Sequence, residues 1–157
     1  MTILDDIDRK MIDILRQDGR RTAPQLATDI GIGRATAYNR LDRLIDHGII
    51  TGFSAQVDHQ ATGQPVAAMV LLNVEQGRWR DLHEQLTQLP GVDWLGVTAG
   101  QYDYAIIVRA ESLDNLRDVT LREIQQTEGV RAAQTIVLLD EVDKRADPIW
   151  SKHLEIT

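Results

Sequence analysis

The first fifty residues place hydrophobic side chains at helical spacing in three short blocks. In residues 4–17, apolar positions recur every three or four residues, which predicts an amphipathic helix that ends at Asp18. The second block begins at Thr22, whose spacing from Gln25 is that of a capping box, and predicts a helix to Ile30. Each block is short, so the helices are expected to pack on one another.

A glycine turn separates the second block from the third. Gly31 and Gly33 flank Ile32, which suits a tight turn whose central side chain points into the core. The third block predicts a helix from Arg34 to Gly48, since glycine suits the left-handed position that ends a helix. Its predicted inner face consists of Ala37, Leu41, Leu44 and Ile45. The expected core of the tri-helical unit consists of Ile7, Met11, Leu15, Leu26, Ile30, Ile32, Leu41 and Leu44.

From Val66 the pattern changes to alternating strands and helices. The predicted order is a strand over 66–74, a helix over 79–89, strands over 92–98 and 102–110, a helix over 112–126 and a strand over 130–139. This β-α-β-β-α-β order is that of a ferredoxin-like fold, in which four antiparallel strands carry two helices on one face. The chain is therefore predicted to be α+β, with a helix-turn-helix followed by a ferredoxin-like domain.

Three of the predicted strands are apolar on both faces. A sheet with one solvated face normally alternates apolar and polar residues. Residues 66–74, 104–108 and 135–139 do not alternate, although the helices cover only one face. A second copy of the chain, packed sheet to sheet, is the simplest cover and predicts at least a dimer. The alternative cover is the connector after the third helix, or the C-terminal tail.

The connecting segments set the predicted domain limits. Residues 49–57 are β-prone and predict a short strand pair or a wing-like connector, and polar residues 58–65 predict a hinge. The tail is charged at first and then apolar around Trp150, and its role stays open. The predicted divisions are a helix-turn-helix domain over 1–50, a wing and linker over 51–65, a ferredoxin-like domain over 66–143 and a tail over 144–157.

Charge differs between the two halves of the chain. The net charge is −7, yet residues 1–50 hold eight Lys and Arg against eight Asp and Glu. The whole acidic excess therefore lies after residue 50, and DNA is expected to be repelled there. Six arginines lie within residues 16–43, which predicts a local basic patch on a neutral domain.

The outer face of the third helix is the candidate DNA-binding surface. It combines cations for phosphates with side chains that read base edges in the major groove. The alternative is a helical hairpin whose basic face is only solvated. The residues predicted to read bases are Arg34, Thr36, Tyr38 and Asn39, and those predicted to hold phosphates are Arg20, Arg21, Arg40 and Arg43.

The remaining composition indicates no catalytic site. Cysteine is absent, which excludes disulfides and thiol chemistry and fits the cytoplasm. The four histidines lie far apart, and no pair has metal-ligand spacing. No nucleophile elbow or phosphate-binding loop is present. The N-terminus has no long apolar run, so neither a secretory leader nor a membrane span is expected.

The chain resembles the Lrp/AsnC (leucine-responsive and asparagine regulator, or feast/famine) family of bacteria and archaea over residues 4–143. In the first half the resemblance rests on Leu4-Asp5, Asp8, Ile12, Leu15, Asp18, Arg20, Leu26-Ala27, Gly31, Arg40, Arg43-Leu44 and Gly48-Ile49-Ile50. In the second half it rests on Pro90-Gly91-Val92, Thr98-Ala99-Gly100-Gln101-Tyr102-Asp103-Tyr104, Gly129-Val130, Thr135 and Val137-Leu138. Each motif alone is weak, but their order in two domains is specific to the family.

This resemblance implies a winged helix-turn-helix and a regulatory, amino-acid-binding ferredoxin-like (RAM) domain. It implies no resident cofactor, dimers that commonly assemble into octamers, and effectors that bind between subunits. The effector-site residues it implies are Thr98, Ala99, Gly100, Gln101, Tyr102, Asp103 and Thr135. Gly100 suits close approach of a small ligand, and Asp103 suits an ammonium group, although an aspartate after a turn often accepts from local amides instead.

Two residues depart from the family pattern. Gly33 stands where a capping serine is common, and Arg21 replaces an apolar residue.

Three functions are compatible with the sequence. The favoured function is a transcription regulator that responds to an amino acid or a related metabolite. The alternatives are an architectural DNA-wrapping protein with little sequence preference, and a small-molecule enzyme on a ferredoxin-like scaffold.

Overall fold

A computed structural model of the protein describes residues 4–75, 77–141 and 149, without the side chains of Trp79, Val119 and Thr120. The chain divides into two units. The first comprises residues 1–55 with 142–157, and the second comprises residues 56–141. No helix within the described residues is long and apolar enough to cross a membrane. Trp150 and most of the predicted tail lie outside the described residues.

Three helices form the first unit: α1 (Asp6–Gln17), α2 (Ala23–Ile30) and α3 (Arg34–Asp46). The predicted capping box is present in α2, where Gln25 Oε1 accepts from the Thr22 N–H at 2.9 Å. Gly31 and Gly48 both have positive φ, at 81° and 65°, as a helix-ending glycine requires. Ile49 N–H donates to Leu44 O at 2.9 Å beyond Gly48, which closes α3 with a Schellman motif.

The core of this unit follows the predicted stripes except at Ile7, which is half-buried and lies outside the core cluster, and at Ile45. Its buried residues are Met11, Leu15, Ala23, Leu26, Ala27, Ala37 and Leu44. The prediction that Ile45 faces inward is wrong, because its side chain is 42% exposed. The buried positions of α3, Ala37 and Leu44, are seven residues apart, and Ile45 lies 100° around the helix from Leu44.

The predicted strand pair over residues 49–57 is wrong. Residues 51–57 form no strand within the described part of the chain, and the segment is an irregular, exposed connector. A two-stranded pair without further strands or a packed face is only marginally stable, so β-prone residues alone do not form it. Residues 59–63 then form a compact turn, in which Asp58 Oδ1 accepts from the Gln60 N–H at 2.9 Å.

The second unit has the predicted ferredoxin-like order. Its elements are β1 (Val66–Val74), α4 (Trp79–Thr87), β2 (Val92–Val97), β3 (Tyr104–Ala110), a helical segment α5 and β4 (Val130–Leu138). α5 comprises Leu113–Asn115, a π-helical stretch Leu116–Leu121 and Arg122–Gln126. Ser112 caps it as predicted, since its hydroxyl oxygen accepts from the Asn115 N–H at 3.0 Å. The antiparallel sheet has the order β2-β3-β1-β4.

One face of the sheet packs against the helices and forms the core of the second unit. Leu82 and Leu86 of α4 and Leu116 and Ile124 of α5 pack there. The sheet contributes Ala68, Val70, Leu72 and Val74 from β1 and Tyr104, Ile106, Val108 and Ala110 from β3. These residues alternate along their strands, so the residues between them lie on the other face.

No helix of the second unit, within the described residues, covers the other face, which is also apolar; we call it the open sheet face. The strand register aligns Trp94, Ile107, Met69 and Ile136 in one row across all four strands. Trp94 is 50% exposed and Ile136 is 43% exposed, although both are large and apolar. The Trp94 ring lies over Gly96, where an added Cβ would come within 2.4 Å of it. Apolar residues on both sheet faces are therefore confirmed.

A buried arginine lies on the same face, near the end of β3. Arg109 is only 7% exposed and alternates with the core residues of β3. Its Nε lies 3.1 Å from Asp93 Oδ2, and its Nη1 lies 2.6 Å from Glu141 Oε1. One buried cation therefore joins β2 to the segment after β4, and its two carboxylate partners are partly exposed.

Candidate DNA-binding and effector sites

The outer face of α3 is exposed as predicted. Arg34, Thr36, Tyr38 and Asn39 are all exposed, while Ala37 between them is buried against the other two helices. Thr36, Tyr38 and Asn39 lie outside the narrow apolar stripe of the helix, whereas Arg34, three positions before Ala37, is exposed at the first residue of α3. α3 therefore presents a polar surface with one cation at its start, in the arrangement that a major groove accepts.

Arg40 and Arg43 lie on the flank of α3 in ion pairs with the beginning of α1. Arg40 Nη1 lies 2.6 Å from Asp5 Oδ2 and 2.8 Å from Asp8 Oδ1. Arg43 Nη2 lies 2.5 Å from Asp8 Oδ2. We call these four residues the α1–α3 cluster. It holds the two helices together through charge-assisted hydrogen bonds.

Asp8 is the buried centre of this cluster, and sequence reasoning did not assign it this role. Its side chain is 1% exposed, and burying a carboxylate is costly unless cations and hydrogen-bond donors surround it. Arg40, Arg43 and the Asp5 N–H, at 3.2 Å, supply these partners. Acidic residues at a helix start suit the helix dipole whether or not they are buried, so the sequence pattern does not distinguish Asp8 from Asp6.

Asp5 caps α1 and binds Arg40 with different oxygens. Its Oδ1 accepts from the Asp8 N–H at 2.9 Å, and its Oδ2 accepts from Arg40 at 2.6 Å. These hydrogen bonds, with the Asp8 amide contributing most, lower the pKa of Asp5 below its usual value of 3.8. Hydrogen bonds to the carboxylates of Asp5 and Asp8 raise the pKa of Arg40. Asp5 and Arg40 are therefore both charged at neutral pH.

Arg20 and Arg21 lie between α1 and α2 in different surroundings. Arg20 is exposed, and its backbone N–H donates to Asp18 Oδ1 at 3.0 Å. Arg21 is half-buried, with its Nε 3.5 Å from both Asp18 Oδ2 and Asp29 Oδ2. The predicted phosphate-binding residues thus differ in how far their charge is already compensated within the protein.

The loop between β2 and β3 contains six of the seven predicted effector-site residues and is held across the end of β1. Asp103 N–H donates to Leu72 O at 2.8 Å, and Asp103 Oδ2 accepts from the Val74 N–H at 2.8 Å. The Val74 amide lies at a register shift between β1 and β4, where the strand pairing leaves room for a side-chain acceptor. Two roles were predicted for Asp103: pairing with an ammonium group, or accepting hydrogen bonds from local amides. The structure shows the second.

The loop also contacts β4 through a residue that the sequence did not indicate. The Tyr102 hydroxyl donates to Gln134 Oε1, and the Thr98 hydroxyl donates to the Tyr102 carbonyl. Gln134 is opposite Leu71 in register, whereas Thr135 is opposite Val70 and half-buried on the helix-covered face. The structure thus brings Gln134 to the loop and places Thr135 on the other face of β4.

The tip of this loop is open. Ala99, Gly100 and Gln101 are exposed, and an added Cβ on Gly100 would meet no atom within 4 Å. Gly100 does not have a positive φ, so nothing among the described residues requires glycine there. The backbone of the tip is consequently accessible to a small ligand or to another chain.

Comparisons with known proteins identify the families of the two domains that contain these candidate sites. Residues 4–51 match a winged helix-turn-helix DNA-binding family, and residues 67–148 match the Lrp/AsnC ligand binding domain. The transcriptional regulator LrpA of Mycobacterium tuberculosis is 33% identical over 136 residues, which cover 86% of this chain and 90% of that protein.

Solved structures share the fold. The crystal structure of the Mycobacterium tuberculosis leucine response regulatory protein LrpA is 30% identical, with a TM-score of 0.79, and the alignment covers 90% of this chain and 97% of that one. A Neisseria meningitidis transcriptional regulator solved as its L-Met complex has a TM-score of 0.83 at 21% identity, covering 90% of this chain and 93% of that one. The protein therefore belongs to the Lrp/AsnC family of transcriptional regulators, with a winged helix-turn-helix DNA-binding domain followed by a family ligand-binding domain.

Proposed function

We propose that the protein is a sequence-specific regulator that places α3 in the major groove and responds to an amino acid. One observation supports the docking geometry most directly: Thr36 and Asn39 are exposed outside the buried stripe of α3, and Arg34 is exposed at the first residue of the helix. In this proposal Arg34, Thr36, Tyr38 and Asn39 face the bases, and Arg20 and Arg21 face phosphates. Arg40 and Arg43, also assigned to phosphates from the sequence, first serve to orient α3 on α1.

Base reading is tested by fluorescence anisotropy on duplex DNA from upstream of the protein's own gene, with random duplex for comparison. Asn39→Ala and Arg34→Ala are each expected to lose about 1–3 kcal/mol on the specific DNA and less on the random DNA. Gln17→Ala, on the exposed end of α1, is the matched control and should leave both affinities unchanged. Equal losses on both DNAs would exclude base reading by that residue and favour an architectural role.

The proposed effector is an amino acid bound at the loop formed by Thr98, Ala99, Gly100, Gln101, Tyr102 and Asp103. Thr135, the seventh predicted residue, stays a prediction from the family resemblance, since within this chain it lies on the other face of β4. Three findings support it: the match to a family ligand-binding domain, the L-Met complex of the Neisseria meningitidis regulator, and the open tip at Gly100. Backbone N–H groups at such a tip suit a carboxylate. No resident cofactor is proposed, so a metal chelator should leave DNA binding unchanged.

Effector binding is tested by the same anisotropy measurement with and without a pool of the twenty amino acids. The pool should change the affinity of the unaltered protein, and Gly100→Val should abolish that change because its side chain fills the open tip. Gly52→Val is the matched control, since Gly52 also has open space and no positive φ. A pool effect that survives in Gly100→Val would place the effector elsewhere.

The proposed assembly is a homodimer or a larger homo-oligomer, up to the octamer that the family resemblance implies. The open sheet face supports it, because large exposed apolar patches on a stable protein usually mark an interface. A solution mass by light scattering at micromolar concentration should be at least twice that of the chain, and a monomeric mass would contradict the proposal.

We further propose that the protein works in the cytoplasm on genomic DNA and catalyses no reaction. Turnover of a metabolite without DNA would overturn the proposal that it catalyses no reaction.

A further inference from the structure

The α1–α3 cluster contains two carboxylates and two guanidiniums, and its two carboxylates differ sharply in accessibility. The Asp8 side chain is 1% exposed, whereas the Asp5 side chain is 50% exposed. Both lie within 3 Å of Arg40 Nη1, at 2.6 Å for Asp5 and 2.8 Å for Asp8. An approaching anion therefore cannot replace Asp8, but it can replace Asp5 without opening the core.

Arg40 lies beside the surface proposed for DNA. It is one helical turn after Thr36 and next to Asn39, both of which are exposed on the proposed groove face. Its side chain is 22% exposed, so it is not fully enclosed by the protein. A DNA phosphate offers this guanidinium the same kind of charged oxygen that Asp5 Oδ2 now supplies.

We infer that Asp5 is an internal competitor of the DNA backbone: it occupies Arg40 in the free protein and withholds one cation from the phosphates. This inference rests on the proposed docking of α3. It assigns Asp5 a specificity-determining role, because a regulator with fewer free cations binds random DNA more weakly while its base contacts are unaffected. Asp8, by contrast, is a positioning residue that keeps Arg40 and Arg43 on the correct flank of α3.

The two oxygens of Asp5 allow its functions to be separated. Oδ1 accepts the capping hydrogen bond from the Asp8 N–H, and Oδ2 accepts from Arg40. In Asp5→Asn the amide oxygen retains the cap, since Asn is as good an N-cap residue as Asp. The amide NH2 then faces the Arg40 donors and accepts nothing from them. Asp8 alone balances Arg40 and Arg43, so the cluster has one uncompensated positive charge.

Asp6→Asn is a matched control. Asp6 is the next residue along the chain, and its carboxylate pairs with exposed Arg9 at 3.3 Å rather than with the cluster. Both variants change the net charge by the same amount at nearly the same place. Any difference between them therefore reports the release of Arg40 rather than general electrostatic attraction.

The measurement is the dependence of the dissociation constant on salt for a random duplex, between 50 and 200 mM. Each additional phosphate contact steepens the log–log slope by about 0.9, so Asp5→Asn should lose about 3.5-fold more affinity over this interval than Asp6→Asn. Asp5→Asn should also reduce the preference for the upstream DNA over the random duplex. Asp5→Asn combined with Arg40→Gln should return the slope to that of the unaltered protein.

Several results overturn the inference. Equal slopes for Asp5→Asn and Asp6→Asn would show that Arg40 is not withheld by Asp5. A steeper slope that persists after Arg40→Gln would assign the released charge to another residue. Circular dichroism of each variant before titration establishes that α1 is intact. If the unaltered protein binds no duplex, the proposed function itself fails, whereas normal binding with equal slopes rejects only the role of Asp5.

Discussion

The two units leave different faces without a partner inside the chain. In the helical unit, the outer surface of α3 is polar, with Arg34 exposed at the first residue of the helix, and it suits the groove of DNA. In the sheet unit, the face opposite the core contains Trp94, Ile107, Met69 and Ile136, and it suits another apolar surface. The two units therefore differ in the chemistry of the surface that each exposes, which is polar in the helical unit and apolar in the sheet unit.

The two units also bury charges of opposite sign. In the helical unit a buried carboxylate, Asp8, lies between two partly exposed arginines. In the sheet unit a buried guanidinium, that of Arg109, lies between two partly exposed carboxylates, Asp93 and Glu141. Each cluster is internally compensated, but the charge at its buried centre is negative in one unit and positive in the other. The first half of the chain is neutral and the remainder is acidic, so electrostatic repulsion of DNA is expected from the second half only.

The largest expected effect concerns the open sheet face. Ile136→Glu introduces a charge into each copy of a two-fold interface, so dimerisation should weaken by about 4 kcal/mol in total, from about 2 kcal/mol per copy. Sedimentation velocity over a range of concentrations measures the change. Leu113→Glu is the control, because Leu113 is a 60% exposed apolar residue on α5 rather than on this face. Equal weakening by both variants would remove the distinction between the two faces of the sheet unit.

The next largest effect concerns the centre of the α1–α3 cluster. Asp8→Asn removes the buried charge that balances Arg40 and Arg43, and it should lower the free energy of unfolding by about 2 kcal/mol. This is below the usual cost of breaking a buried pair, because both arginines reach solvent. Denaturant unfolding followed by circular dichroism measures it, with exposed Asp42→Asn on α3 as the control. An unchanged transition would mean that apolar packing alone holds α1 on α3.

The smallest expected effect is the pH dependence contributed by Asp5. Its pKa in the folded protein is below 3.8, so its charge stabilises the fold above that pH and the contribution is lost as the pH falls through the lowered value. Because Asp5 is half exposed, Asp5→Asn should cost only about 0.5 kcal/mol at pH 7. The difference from the unaltered protein should vanish once the pH has fallen through the lowered pKa of Asp5. A difference that stays constant with pH would contradict an electrostatic origin.

The sequence by itself determined most of the secondary structure. Apolar spacing of 3.6 and 2 residues, with caps at Thr22 and Ser112 and glycines at the helix ends, located the elements of both units to within about two residues. It also indicated the outer face of α3 and the two-sided apolar strands. These features were predictable because they depend on neighbours a few positions away along the chain.

Only the tertiary structure decided which polar residues are buried and what they contact. Asp8 meets Arg43 across 35 positions, and Tyr102 meets Gln134 across 32. Sequence spacing does not encode such contacts, since they depend on how elements pack. The absence of a strand pair after α3 has the same cause: β-prone residues form a ladder only where another strand supplies hydrogen bonds. Local chemistry selects the elements, and long-range packing decides which charges are bound inside the protein and which remain for a partner.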